Sequence, residues 1–122
     1  MVPKYPLVSV IIPTYNRFSH FLKCYKSIID QTYNNIEIIV VDDCSHQKEY
    51  KKINNYLNAK NTQYIRHPNN SGHCAALNTG IKASKGIFIA FCDDDDIWLN
   101  NKIELQLKKY QDSPAFVGVI SC

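Results

Sequence analysis

Ile36-Glu37-Ile38-Ile39-Val40-Val41-Asp42-Asp43-Cys44-Ser45 decides the fold. Its apolar part is short, nearly continuous and rich in β-branched residues, and it stops abruptly in two acids. A run of that kind fits a strand buried on both faces, as in parallel sheets whose faces are both covered by helices. Adjacent strand residues point to opposite faces, so only one of the two acids naturally faces a ligand. Alternation alone does not choose between Asp42 and Asp43.

The same pattern recurs on either side. Leu7 to Ile12 is a similar run closed by Pro13, and Gly86-Ile87-Phe88-Ile89-Ala90-Phe91 is another, ending in Cys92-Asp93-Asp94-Asp95-Asp96. Between the runs lie helical spacings: Phe21, Leu22, Tyr25, Ile28 and Ile29 with Ser19 as the cap, then Tyr50, Ile53 and Leu57 within Glu49 to Ala59. Thr62 to Arg66 is a short strand, and His67 to Gly72 is turn chemistry. A helix through Ala75, Ala76, Asn78 and Ile81 follows, with Gly86 expected to supply a left-handed residue after it. Ile97 to Tyr110 is expected to be a helix and Phe116 to Ile120 a last strand. Strands alternating with helices predict a three-layer α/β/α sandwich with a mainly parallel, Rossmann-like sheet, one domain over residues 1–122. Ligands of such sheets bind outside the carboxyl ends of the strands, so both acidic clusters would face one crevice.

Composition sets limits on partners. A formal charge of +3 carried by dispersed lysines argues against nucleic acid. Five cysteines, without a CxxC pair or histidines at zinc spacing, suggest neither a disulfide framework nor a zinc site. Cys44, Cys74 and Cys92 read most simply as small buried residues. Met1 to Pro6 lacks the features of a signal peptide, and no apolar run approaches the ~20 residues of a membrane span. The expectation is a cytoplasmic protein, with peripheral contact at the inner face of a membrane left open.

Four consecutive aspartates repel one another unless a cation neutralises them, and carboxylate oxygens suit Mg²⁺ and Mn²⁺. Because Mg²⁺ usually shares its shell between one or two carboxylates and substrate phosphates, the expected ligand is a diphosphate joined to Asp95 through the ion. The same run also fits a solvated acidic turn in which Asp96 caps the next helix.

Taken in order, Val8 to Arg17, Gln31-Thr32-Tyr33, Ile38 to Ser45, Asn78-Thr79-Gly80 and Asp93 to Trp98 resemble the family-two inverting glycosyltransferases with the A-type nucleotide-sugar fold. The resemblance covers the chain from about Pro6 to Tyr110 and corresponds to the donor-binding portion, with the acceptor-binding half absent. It implies that Pro13, Thr14 and Tyr15 line a nucleoside pocket, that Asp43 accepts a hydrogen bond from the base, and that Asp93 lies near the ribose or the metal. It further implies Asp95 as the metal ligand, with Asp94 at the variable middle position. Where many members carry a basic residue before the Asn of Asn78-Thr79-Gly80, this chain has Leu77; Arg66, His67 or His73 are the candidate substitutes. Arg17 is a candidate phosphate contact.

The function so implied is metal-dependent transfer of a sugar from a nucleoside diphosphate sugar, a uridine diphosphate sugar by preference, to a saccharide or lipid-linked acceptor with inversion. The general base of the family lies beyond the matching region, so none is assigned here. A catalytically inactive nucleotide-sugar-binding module is the alternative. A phosphoacceptor receiver domain shares the sheet but lacks an identified switch lysine; a nucleotidyltransferase would need a Gly-rich basic loop where Thr14-Tyr15-Asn16-Arg17 stands. Self-association through an exposed sheet edge is a further expectation.

Overall fold

A computed structural model describes residues 2–112. Four strands and four helices alternate: β1 (Val8–Thr14), α1 (Phe18–Ile29), β2 (Ile36–Asp42), α2 (Gln47–Leu57), β3 (Gln63–Arg66), α3 (His73–Ala83), β4 (Phe88–Phe91) and α4 (Lys102–Gln111). The strand expected over Phe116 to Ile120 lies outside the described residues.

Among the described residues all strand pairings are parallel, in the order β3-β2-β1-β4. The chain moves one way from β1 to β3 and then returns to the far side of β1, so the strand order reverses between β1 and β4. That reversal opens a crevice at the carboxyl ends of these two strands, where doubly wound sheets bind ligands.

The central strand β1 is buried at every position. Its alternation assigns Val8, Val10 and Ile12 to one face, where they join Phe21, Tyr25 and Ile28 of α1, Ile53 and Leu57 of α2, and Ile103 and Leu107 of α4. Ile11, with Ile39 and Val41 of β2, meets Ala76 of α3 on the other face. The expected sandwich is therefore formed, with an uneven division of its helices.

Some local expectations are corrected. β1 continues through Pro13 to Thr14, whose carbonyl accepts the N–H of Asp43. Helix α1 is preceded by Arg17 at the N-cap, with no capping side chain, so Ser19 is inside the helix rather than its cap. Helix α4 starts at Lys102 after Asn101, not at Ile97, which leaves Asp96 in a turn. Among the described glycines only Gly72 has a positive φ; Gly86 instead packs so tightly that an added Cβ would meet Ser9 and the Leu7 carbonyl within 3.0 Å. Cys24 and Cys92 are buried, but Cys44 is half-buried and Cys74 exposed.

Candidate nucleotide-sugar site

Every β-to-α loop on the carboxyl side of the sheet delivers something to the crevice. The β1–α1 loop turns at Asn16, which takes a left-handed conformation with φ 53°. Its N–H donates to Ser45 Oγ at 2.9 Å, and its Oδ1 accepts the His46 N–H at 2.7 Å. These bonds fix the first loop against the second. Tyr15 is left 39% exposed, which makes it a surface aromatic rather than a packing one.

The two acids after β2 divide as their alternating directions require. Asp42 is fully buried and accepts hydrogen bonds from the Tyr64 hydroxyl and the Ser45 N–H, a structural role. Burial and the adjacent Asp42 carboxylate push the Tyr64 phenol well up from its ordinary value. Asp43 faces the crevice. Burial would raise its pKa, but the N–H groups of Ser71 and Gly72 and the His67 ring together outweigh it and hold the carboxyl below its usual value.

The acid run after β4 is not uniform. Asp94 is buried and accepts from Thr14 Oγ1 at 2.9 Å, with Arg17 Nη1 3.5 Å away; burial lifts its pKa against those two contacts. Asp93, Asp95 and Asp96 are exposed, and one carboxylate oxygen from each can be chosen so that all lie within 4.8 Å of one another. A chain turn makes this grouping, since the Asp96 N–H donates to the Asp93 carbonyl at 3.0 Å. Three hard oxygen donors within 4.8 Å of one another are of the type that suits Mg²⁺ or Mn²⁺, with coordination positions left for phosphate and water. Arg17 also reaches Asp95 Oδ2 at 3.5 Å, and His73 Nε2 lies 3.8 Å from Asp93 Oδ1.

Together these groups surround a cavity of about 390 Å³. Pro13, Thr14, Tyr15, Asp43, Asp93, Asp94 and Asp95 all line it, so the structure brings every predicted site residue into one place. Arg17, Asn70, Gly72, His73 and Ala76 complete the wall. Of the substitutes considered for a basic residue at Leu77, Arg66 is committed elsewhere, to the Ser45 carbonyl and the Tyr50 ring. His67 is committed to Asp43 and Thr79, which leaves His73 and Arg17 on the cavity wall. Leu77 itself packs against the α3-side core.

Sequence reasoning missed Asp96 as a third carboxylate of this candidate metal-binding group. It also missed the partners of Asp43, which lie 24 to 29 residues away along the chain. The only local signal was the Asn70-Ser71-Gly72 turn, whose Gly72 has φ 97° and turns its N–H toward Asp43 Oδ2.

The sequence profile of the glycosyl transferase family 2 matches residues 9–121. The chain belongs to that family. This family 2 chain is 45% identical over 101 residues to an uncharacterized glycosyltransferase of Rickettsia bellii, covering 83% of this chain and 14% of the relative. It is 37% identical over 101 residues to an Escherichia coli UDP-Glc:alpha-D-GlcNAc-diphosphoundecaprenol beta-1,3-glucosyltransferase, covering 83% of this chain and 40% of that one. Among solved structures it is similar to a mannosyltransferase of Pyrobaculum calidifontis in complex with GDP-Man and Mn²⁺, with a TM-score of 0.83, 26% identity, and coverage of 99% and 36% of the two chains. The family 2 chain thus spans well under half the length of each of these proteins.

Proposed function

We propose that this chain forms the donor site of an inverting glycosyltransferase that takes a uridine diphosphate sugar and a divalent cation. The observation that carries the reading is the cavity at the β1/β4 reversal, which sets Asp43 and Tyr15 on the same wall as Asp93 and Asp95. A nucleoside diphosphate sugar needs such a division. Asp43 accepts from the base, the exposed ring of Tyr15 covers it, and the acid run lies where the diphosphate would end.

Asp95, joined by Asp93 and Asp96, is the proposed holder of Mn²⁺ or Mg²⁺. When bound, the ion neutralises the charge that builds on the departing diphosphate. Thr14 holds Asp94 by a hydrogen bond, and so fixes the position of the acid run beside it. Arg17 stands between Asp94 and Asp95 and adds a positive charge on the phosphate side. The acceptor, a saccharide or a lipid-linked saccharide, belongs to the same proposal and is supported by the glucosyltransferase relative. So does a place on the cytoplasmic face of a membrane.

The test is calorimetric titration of uridine diphosphate into the protein with Mn²⁺, with Mg²⁺ and with chelator, repeated on Asp95→Ala. Binding that needs metal and is lost or strongly weakened in Asp95→Ala is the expected result. Absence of binding under every condition overturns the reading.

A further inference from the structure

The Asp43 carboxylate is almost fully engaged by the protein before any ligand arrives. Its Oδ1 accepts from His67 Nδ1 at 2.9 Å and from the Ser71 N–H at 2.8 Å, and its Oδ2 accepts from the Gly72 N–H at 2.8 Å. A carboxylate offers about four lone-pair positions, two on each oxygen. Both of those on Oδ1 are therefore filled, and a single acceptor position remains, on Oδ2. Because a carboxylate only accepts, His67 Nδ1 must carry the proton it donates.

His67 is held so that it cannot readily leave. Its backbone N–H donates to the Asp42 carbonyl at 2.8 Å, which continues the β2–β3 pairing. Its other ring nitrogen, Nε2, lies 2.7 Å from Thr79 Oγ1 on α3. The ring is a strut between α3 and the acid that faces the crevice.

Nucleobases differ in what they ask of such an acid. The uracil edge presents one imide N–H between two carbonyls and needs one acceptor. The guanine edge presents two adjacent donors, a ring N–H and an amino N–H, which pair best with both oxygens of one carboxylate. Resting on the donor-site reading above, we propose that His67 is a specificity-determining residue. By occupying Oδ1 it restricts Asp43 to reading a single N–H, and so selects uridine over guanosine diphosphates. Ser71 and Gly72 alone would leave one position open on each oxygen, which is the arrangement a guanine would use.

The experiment measures dissociation constants for uridine diphosphate and guanosine diphosphate, with saturating Mn²⁺, on the wild type, His67→Ala and His67→Asn. The wild type should prefer uridine diphosphate. His67→Ala should reduce that preference by about tenfold or more, the discrimination one two-point hydrogen-bonding pair supplies. His67→Asn, whose amide N–H can stand where Nδ1 does, should restore most of it. Loss of a purely structural strut would weaken both nucleotides alike and leave their ratio unchanged, and that result overturns the proposal. So does a wild type that prefers guanosine diphosphate, a result that keeps a nucleoside diphosphate donor site but overturns its assignment to uridine. A wild type that binds neither nucleotide overturns both.

Discussion

Replacing Gly80 by Ala tests how α3 is seated, and with it how Thr79 is presented to His67. A Cβ built on Gly80 would stand well inside 3.0 Å of Ile11 Cγ2 and 3.1 Å from its Cγ1 and Cδ1. Ile11 is fully buried on the central strand, paired with Ile39 on one side and Phe91 on the other, and its branched Cγ2 has little rotamer freedom. The helix must therefore move. Overpacking of this kind costs ~1–3 kcal/mol. Ala returns ~1 kcal/mol over Gly in a helix interior. The net expectation is a loss of about 1 kcal/mol, or a drop in Tm of roughly 4 °C for a chain of this size. The decisive comparison is a double-mutant cycle with Ile11→Ala, which removes all three contacting carbons. In that background Gly80→Ala should be neutral or stabilising by up to about 1 kcal/mol, giving a coupling of about 1–2 kcal/mol. Thermal and urea unfolding of the four proteins supply the values. A Tm that rises in the single variant, as helix propensity alone predicts, refutes the reasoning; so does an equal cost in both backgrounds.

Asp42→Ala leaves the Tyr64 hydroxyl and the Ser45 N–H without their acceptor, at ~1–3 kcal/mol each, so a loss of about 3 kcal/mol is expected from urea unfolding. Tyr64→Phe, which leaves the Ser45 bond to Asp42 in place, should cost about half as much, and equal losses would contradict the assignment of Asp42 as a two-bond anchor. Glu37 accepts from the Ser9 hydroxyl and the Lys85 N–H; burial raises its pKa, but these bonds, with the Gly86 N–H and the Lys85 charge, lower it overall. Its folded pKa is thus below the unfolded value of 4.5, so its contribution is present above that pH and is lost as pH falls through the folded value. Glu37→Gln should therefore melt below the wild type at pH 7 and approach it in more acidic buffer, and a difference that stays constant with pH would count against the sign.

Strands β1 and β2 were legible because burial on both faces leaves a mark that needs no knowledge of partners: Val10, Ile11 and Ile12 in β1 and Ile39, Val40 and Val41 in β2 are all fully buried, whereas the apolar run of β4 has Ile89 and Phe91 exposed. Although the choice of Asp43 for the crevice rested on the family resemblance, the division of labour between Asp42 and Asp43 was legible for a local reason, that neighbouring strand residues point opposite ways. The start of α4 was not. The helix expected from Ile97 begins at Lys102, and the apolar Ile97 and Leu99 are 66% and 79% exposed in the loop that precedes it. Periodicity marks an apolar face only if apolar residues are buried, and here two are not. The hydrogen bonds that build the site were also illegible, because Thr14 to Asp94 spans 80 residues and His67 to Asp43 spans 24.

These long-range bonds explain how the chain tolerates so much negative charge in one crevice. Asp42 spends its charge on Tyr64 and Ser45, and Asp43 on three N–H donors, so neither presents a bare carboxylate. Asp94 is satisfied by Thr14 and Arg17. The carboxylates left are those of Asp93, Asp95 and Asp96, which are exposed, grouped within 4.8 Å and faced by one half-exposed guanidinium and one exposed imidazole. Like charges that close repel, and water screens them only in part. An approaching cation relieves that repulsion and gains oxygen ligands at one point, whereas at the other acids it would have to displace hydrogen bonds already made. The fold thus separates two kinds of acid that the sequence writes as similar acidic stretches: those after β2 are locked by hydrogen bonds, and the exposed ones after β4 remain free to take up charge.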